Sequence, residues 1–224
     1  MKSKEKTIYH GSDHTMEMPI FSGGRPDNDY GMGFYCTEVI DLAREWASVT
    51  KSGGFVNKYI VDESGLKILD LSSHDFNALN WLAILLNNRS IRLSSLIEED
   101  GRRYIIDHYL PDTKDADVII GYSADDSFFS FARAFLSNTL SYQQLSQILK
   151  YGDLGLQYVL ISRKAFDSIR FVSAELVDGE IYYPLRNNRD NKAREAYRRL
   201  VRELDRDGLF LNQIMRGEAA DERL

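Results

Sequence analysis

Three short segments, far apart in the 224-residue chain, hold side chains able to do chemistry. His10, Gly11 and Ser12 close the apolar run KTIYHGS; Tyr35 lies in GMGFYCT; Gln157 opens LQYVLIS. A neutral imidazole donates at one nitrogen and accepts at the other, and an amide such as Gln157 donates and accepts without taking up a proton. A tyrosine offers a flat apolar face with a polar tip. Taken singly, each residue also has a structural reading: a strand-end histidine satisfying a hydrogen bond, a core tyrosine, a solvated edge glutamine.

Other chemistries find less support. His10 and His14 are four apart, but the intervening Gly-Ser opposes a helix, and His74 and His108 have no ligand-like neighbours. No Cys/His spacing suits zinc, so no metal is expected. Cys36, the only cysteine, sits in an apolar-aromatic run and reads as a buried, inert thiol. There is no G-x-S-x-G segment for a nucleophile elbow and no G-x-x-x-x-G-K-[ST] phosphate loop. GGRPDNDYGMG does not follow a strand and open a helix, as a dinucleotide-binding fingerprint should.

The elements that must position these residues follow from periodicity. KTIYHGS and FYCT read as short strands separated by a Gly/Pro/Asp/Asn-rich loop over 13–30. EVIDLAREWASV has helical apolar spacing, with Thr37 as its cap and Trp46 anchoring it. GFVNKYIVD and LKILDL read as strands pairing through the 62–65 turn. The middle is helical: SSHDFNALNWLAILLNNR, opened by Ser caps, and SLIEEDGRRYIIDHYL, then a strand over 118–120, the SFFSFARAFL helix and SYQQLSQILKYG. LQYVLIS and IRFVSAELV flank the short RKAFDS segment. A last helix over 190–207 places Ala193, Ala196, Tyr197, Leu200, Val201 and Leu204 on one face. LFLNQIM, over 209–215, adds an apolar patch for a dimer or protein partner. Strands at both ends with helices between predict an α+β class.

A hydrophobic content of 43% supports a real core, and a net charge of −6 argues against a general polyanion binder. One cysteine permits no internal disulfide. The basic start MKSKEKTIYHGSDH is not followed by an apolar signal core, and WLAILL is far too short to span a bilayer. The expectation is a soluble cytoplasmic protein without membrane contact.

Together the three segments resemble the ADP-ribosyltransferase superfamily. YHGS is similar to its first-strand motif. YGMGFYCTEVIDLAREWA is similar to the Gly-x-Gly-aromatic-Tyr segment and following helix of the poly(ADP-ribose) polymerase and diphtheria-toxin branch, which carries His, Tyr and Glu. Gln157 takes the position of the glutamate. A narrower bacterial family of uncharacterised ADP-ribosyltransferase-like proteins shares VIIGYSADD, the helix after it and LQYVLISRKAFDSIRFV, and its members often carry Gln at the third position. The resemblance covers roughly residues 6 to 180.

It implies a split antiparallel β-sheet around an NAD cleft, with a domain over 1–186, a helical insertion at about 73–150 and a C-terminal helical extension over 187–224. It further implies transfer of ADP-ribose from NAD to an unidentified protein or nucleic-acid acceptor, with no metal cofactor. The His10 ring would bond the adenosine ribose, the Gly11 backbone the nicotinamide carboxamide, and Ser12 would add a bond. Tyr35 would stack on nicotinamide and Gln157 contact its ribose. Arg25 would reach the pyrophosphate and Arg133 a phosphate. Asp125 is assigned to the ligand; it and Asp126 are also candidate bases, with N-capping of the next helix as their other reading. The resemblance suggests a bacterial toxin held by an antitoxin. A non-catalytic NAD or ADP-ribose module and an NAD glycohydrolase are the alternatives, because Gln157 is neutral.

Overall fold

The computed structural model describes residues 4–124, 128–151, 155–203 and 205–218. In chain order these form β1 (Glu5–Ser12), β2 (Phe34–Cys36), α1 (Ile40–Ala47), β3 (Gly54–Asp62), β4 (Ile68–Asp70), α2 (Ala78–Asn88), α3 (Leu96–Tyr109) and β5 (Val118–Tyr122). They continue with α4 (Phe128–Leu136), α5 (Tyr142–Tyr151), β6 (Leu156–Leu160), α6 (Arg163–Asp167), β7 (Ile169–Val177), α7 (Gly179–Arg202) and α8 (Leu211–Met215). The class is α+β. The chain divides into two compact units, one of residues 1–70, 112–123 and 155–189, the other of 71–111, 124–154 and 190–224. Among the described residues, no helix is long and apolar enough to cross a membrane.

Among the described residues, the first unit holds every strand. One sheet has the order β1-β3-β7 and is antiparallel throughout; the other has the order β2-β6-β5-β4. The second sheet is mixed, because β4 pairs parallel with β5. Parallel neighbours need a long crossover, and here residues 71–117 supply it. The expected pairing of β3 with β4 through the 62–65 turn is not made. Both edges of β3 are taken, by β1 and β7, and β4 joins the other sheet. Among the described residues, a single bridge between Tyr9 and Thr37 ties β1 to the end of β2.

Alternation explains the core. On β2, β6 and β5, Phe34, Cys36, Tyr158, Leu160, Val118 and Ile120 share a face and pack with Ile8, Tyr59 and Val61 of the other sheet. The opposite face of β2-β6-β5 therefore carries Tyr35, Val159, Gln157, Ile119 and Gly121. On the far side of β1 and β3, Ala43 and Ala47 of α1 pack with Val56 and Val177. Thr37 does not cap α1: the N-cap is Val39, whose own N–H is the group Thr37 Oγ1 accepts from, at 3.2 Å. Thr37 is held back because its backbone is engaged in the bridge to Tyr9.

In the second unit Trp81 and Phe128 pack edge to face at 4.4 Å, and Phe131 meets Tyr197 at 4.8 Å. α2 opens on a capping box between Asn77 and Asn80, not on the serines before it. α7, which belongs to the first unit up to Arg189, starts at Gly179, eleven residues before the expected 190, with Asp178 accepting from the Glu180 N–H at 2.9 Å. Pro184 lies within its second turn. The LFLNQIM segment is not an exposed patch. Leu209, Leu211 and Ile214 are all buried, and a side-chain atom at Gly101 would stand 2.7 Å from Leu211.

Candidate functional site

The site begins at the single bridge between the sheets. Tyr9 exchanges both backbone hydrogen bonds with Thr37, at 2.8 and 2.9 Å, so its N–H and C=O point toward β2. Antiparallel pairing alternates, so two residues on the Gly11 N–H and C=O also point that way and not to β3. The residue that would face Gly11 is Tyr35, two positions back from Thr37. No backbone bond is made there. The Tyr35 carbonyl accepts instead from His10 Nδ1 at 2.7 Å. The Gly11 peptide thus presents one donor and one acceptor on an open strand edge.

Gly11 itself is dictated by packing. A Cβ there would lie 2.1 Å from the Ala43 carbonyl oxygen and 2.6 Å from the Ala47 nitrogen, with the Trp46 Cβ at 2.9 Å. The close approach is to α1. The absent side chain lets the helix lie on β1 and leaves the peptide edge clear.

The contact to Tyr35 also fixes the state of His10. A carbonyl only accepts, so Nδ1 carries the proton and Nε2 is left as an acceptor. Burial lowers the pKa of the ring and nearby His14 adds to this, against the opposing pull of the Tyr35 carbonyl. His10 is therefore neutral at pH 7. Its ring lies 4.6 Å from that of Phe34. Ser12 is less available than expected: its hydroxyl donates to the His14 carbonyl at 2.6 Å and accepts from Asn57 Nδ2 at 2.9 Å.

Tyr35 is partly buried, and its hydroxyl is engaged in the loop before it. It donates to the Gly31 carbonyl at 2.6 Å and accepts from the Tyr30 N–H at 3.1 Å. Gly31 has φ of 75°, the left-handed region that glycine enters freely. Tyr35 pairs with Val159, so Gln157 lies on the same face of the adjacent strand, at a diagonal of about 7 Å. Gln157 Nε2 donates to Ser123 Oγ at 2.9 Å, while its buried Oε1 has no hydrogen-bond partner. Turning the amide over exchanges the two atoms and still leaves one of them unpaired.

Arg25 is exposed and turned onto Asp27, at 3.3 Å, within the loop. Arg133 is exposed on α4, in the second unit. Asp125 and Asp126 lie outside the described residues. Cys36 is fully buried, which pushes its thiol pKa well up. Among the described residues, no group of three or more His, Cys, Asp or Glu side chains is arranged to hold a metal ion.

Two contributors were not foreseen. Asn57, fully buried on β3, holds Ser12 Oγ and the His14 carbonyl and accepts from the Met16 N–H at 2.8 Å. With the Tyr59 hydroxyl on the Met16 carbonyl, it straps the loop across the sheet. An asparagine at a buried position of β3 was the available signal, since a buried amide needs partners. Ser123, which holds Gln157, had no signal of its own.

A family model for proteins of unknown function, DUF3990, matches residues 6–171. The chain belongs to the DUF3990 family. The DUF3990 match runs from β1 into β7, so His10, Gly11, Tyr35, Ser123 and Gln157 all lie within it. No curated protein and no solved structure matches the chain.

Proposed function

We propose that this protein binds NAD and transfers its ADP-ribose to a macromolecular acceptor, releasing nicotinamide. The observation that carries the reading is the open edge at Gly11 beside a neutral His10. A carboxamide needs one donor and one acceptor side by side, and the Gly11 peptide offers both. The Nε2 of His10 accepts from a hydroxyl, as a ribose would supply. The partly buried Tyr35 ring gives a flat surface for a planar heterocycle. The unpaired amide atom of Gln157 is suited to a ribose hydroxyl, since an unmatched buried acceptor gains most from a donor. Two sheets joined by one bridge fit the split-sheet arrangement that the sequence resemblance implies.

Breaking the nicotinamide–ribose bond builds positive charge on the sugar. In this site orientation and fixed dipoles carry that step, because Gln157 orients but takes no proton. That neutrality favours a second reading, an NAD or ADP-ribose binding module without turnover. Hydrolysis, with water as acceptor, is the third. A toxin role and an antitoxin partner belong to the proposal as the biological setting.

One assay separates the readings. The full chain is incubated with NAD labelled on adenine, plus whole-cell protein and nucleic acid. Label on a macromolecule with free nicotinamide supports transfer. Free ADP-ribose with nicotinamide supports hydrolysis. Binding without nicotinamide release leaves the module, and no binding at all removes the proposal.

A further inference from the structure

Tyr35 and Gln157 stand on one sheet face, yet the Gln157 side chain is hydrogen-bonded to Ser123 alone among the described residues. Tyr30 spans the gap between them. Its N–H donates to the Tyr35 hydroxyl at 3.1 Å, and its own hydroxyl crosses to the end of β5 and donates to the Tyr122 carbonyl at 2.7 Å. The next residue is Ser123, which holds Gln157. The Tyr30 ring is 5% exposed and lies on Gly121, the residue directly opposite Gln157 in register. A Cβ at position 121 would stand 2.1 Å from the Tyr30 hydroxyl oxygen and 2.8 Å from its Cζ. The phenol therefore fills the place beside Gln157 that any side chain at 121 would take.

We propose that Tyr30 is a positioning residue of the candidate site, fixing the end of β5, and through Ser123 the Gln157 amide, relative to Tyr35. The assignment of the site to NAD rests on the preceding reading; the Tyr30–Ser123–Gln157 link does not. Magnitudes separate positioning from simple packing. Removing one hydroxyl costs a single neutral hydrogen bond, a small part of the stability of a folded chain. A displacement of a reacting group by about 1 Å can cost about a hundredfold in rate.

The test uses the ¹⁵N-labelled full chain and Tyr30→Phe. The side-chain amide pair of Gln157 is assigned by its loss in Gln157→Glu. In Tyr30→Phe that pair is expected to shift and to exchange with water about tenfold faster, with the melting curve nearly unchanged. Nicotinamide release is expected to fall about tenfold in kcat, with KM for NAD within about threefold. An unmoved Gln157 amide pair in the folded variant overturns the proposal, because Tyr30 then serves the loop alone. If Tyr30→Phe does not fold, Gly121→Ala displaces the ring from the opposite side and must move the same pair; an unmoved pair there overturns it equally. A wild-type chain that neither binds nor cleaves NAD sinks the NAD reading, and the amide shift still decides the link.

Discussion

The His10 ring donates to the Tyr35 carbonyl at 2.7 Å, in the place where the ladder between β1 and β2 would otherwise continue from the Tyr9–Thr37 bridge. One contact thus keeps two strands apart beyond the bridge, sets the tautomer of the imidazole and leaves the Gly11 peptide edge open.

The pH dependence follows with a definite sign. The folded-state pKa of His10 is lowered, chiefly by burial. Its contribution to stability is therefore complete above the unfolded value of about 6.5 and is lost as pH falls through the folded value. Protonation also removes the Nε2 acceptor. NAD affinity should be flat from mildly alkaline pH down through about 6.5 and weaken only as pH falls through the lowered folded-state value. A fluorescence or calorimetric titration across about pH 5–8, around the ordinary histidine value, checks this; affinity that rises on acidification contradicts it.

Tyr35→Phe and Tyr35→Ala should separate two roles. The hydroxyl makes two hydrogen bonds to residues 30 and 31, together about 1–2 kcal/mol. Phenylalanine keeps the ring face, so NAD affinity should hold within about threefold while amide exchange at Tyr30, whose N–H loses its acceptor, speeds by about tenfold. Alanine should lose both. Wild-type affinity in the alanine variant would remove Tyr35 from the site.

Gln157→Glu should raise nicotinamide release by tenfold or more, on the order of the smaller general-base effects. The Ser123 hydroxyl, now an acceptor, can rotate to donate to the carboxylate. Chromatographic separation of nicotinamide, ADP-ribose and labelled macromolecule reads the outcome. An unchanged rate and product profile places Gln157 away from the sugar.

Removing residues 208–224 should unfold the second unit and leave no smaller oligomer to detect. Leu209, Leu211 and Ile214 are buried, and losing three such side chains costs about 5–9 kcal/mol. That is comparable to the whole stability of a domain. Thermal melting with light scattering distinguishes the cases: a cooperative, unshifted melt with halved mass would restore these residues to an oligomer contact.

The strands that carry His10, Tyr35 and Gln157 were legible by local period. β1, β2 and β6 fall where KTIYHGS, FYCT and LQYVLIS predict them, because alternating apolar positions in short runs are a local signal. The partners were not legible. Nothing local says that β3 pairs with β1 and β7 and not with β4, since a turn over 62–65 suits a hairpin equally well. The same holds for the Tyr35 hydroxyl, whose partners at 30 and 31 depend on how the loop folds back. The need for glycine at position 11 was not legible either, because it comes from the approach of α1: a Cβ there would meet Ala43 and Ala47. LFLNQIM misled because amphipathic spacing does not reveal whether the apolar face meets its own chain or another.

The most direct measurement is an NAD titration of the full chain by calorimetry, run beside His10→Ala. Saturable binding at one site per chain is expected, weakened by about tenfold or more when the ring is removed, the size of one lost hydrogen bond to a buried acceptor. Binding of equal strength in both chains, or none in either, contradicts it.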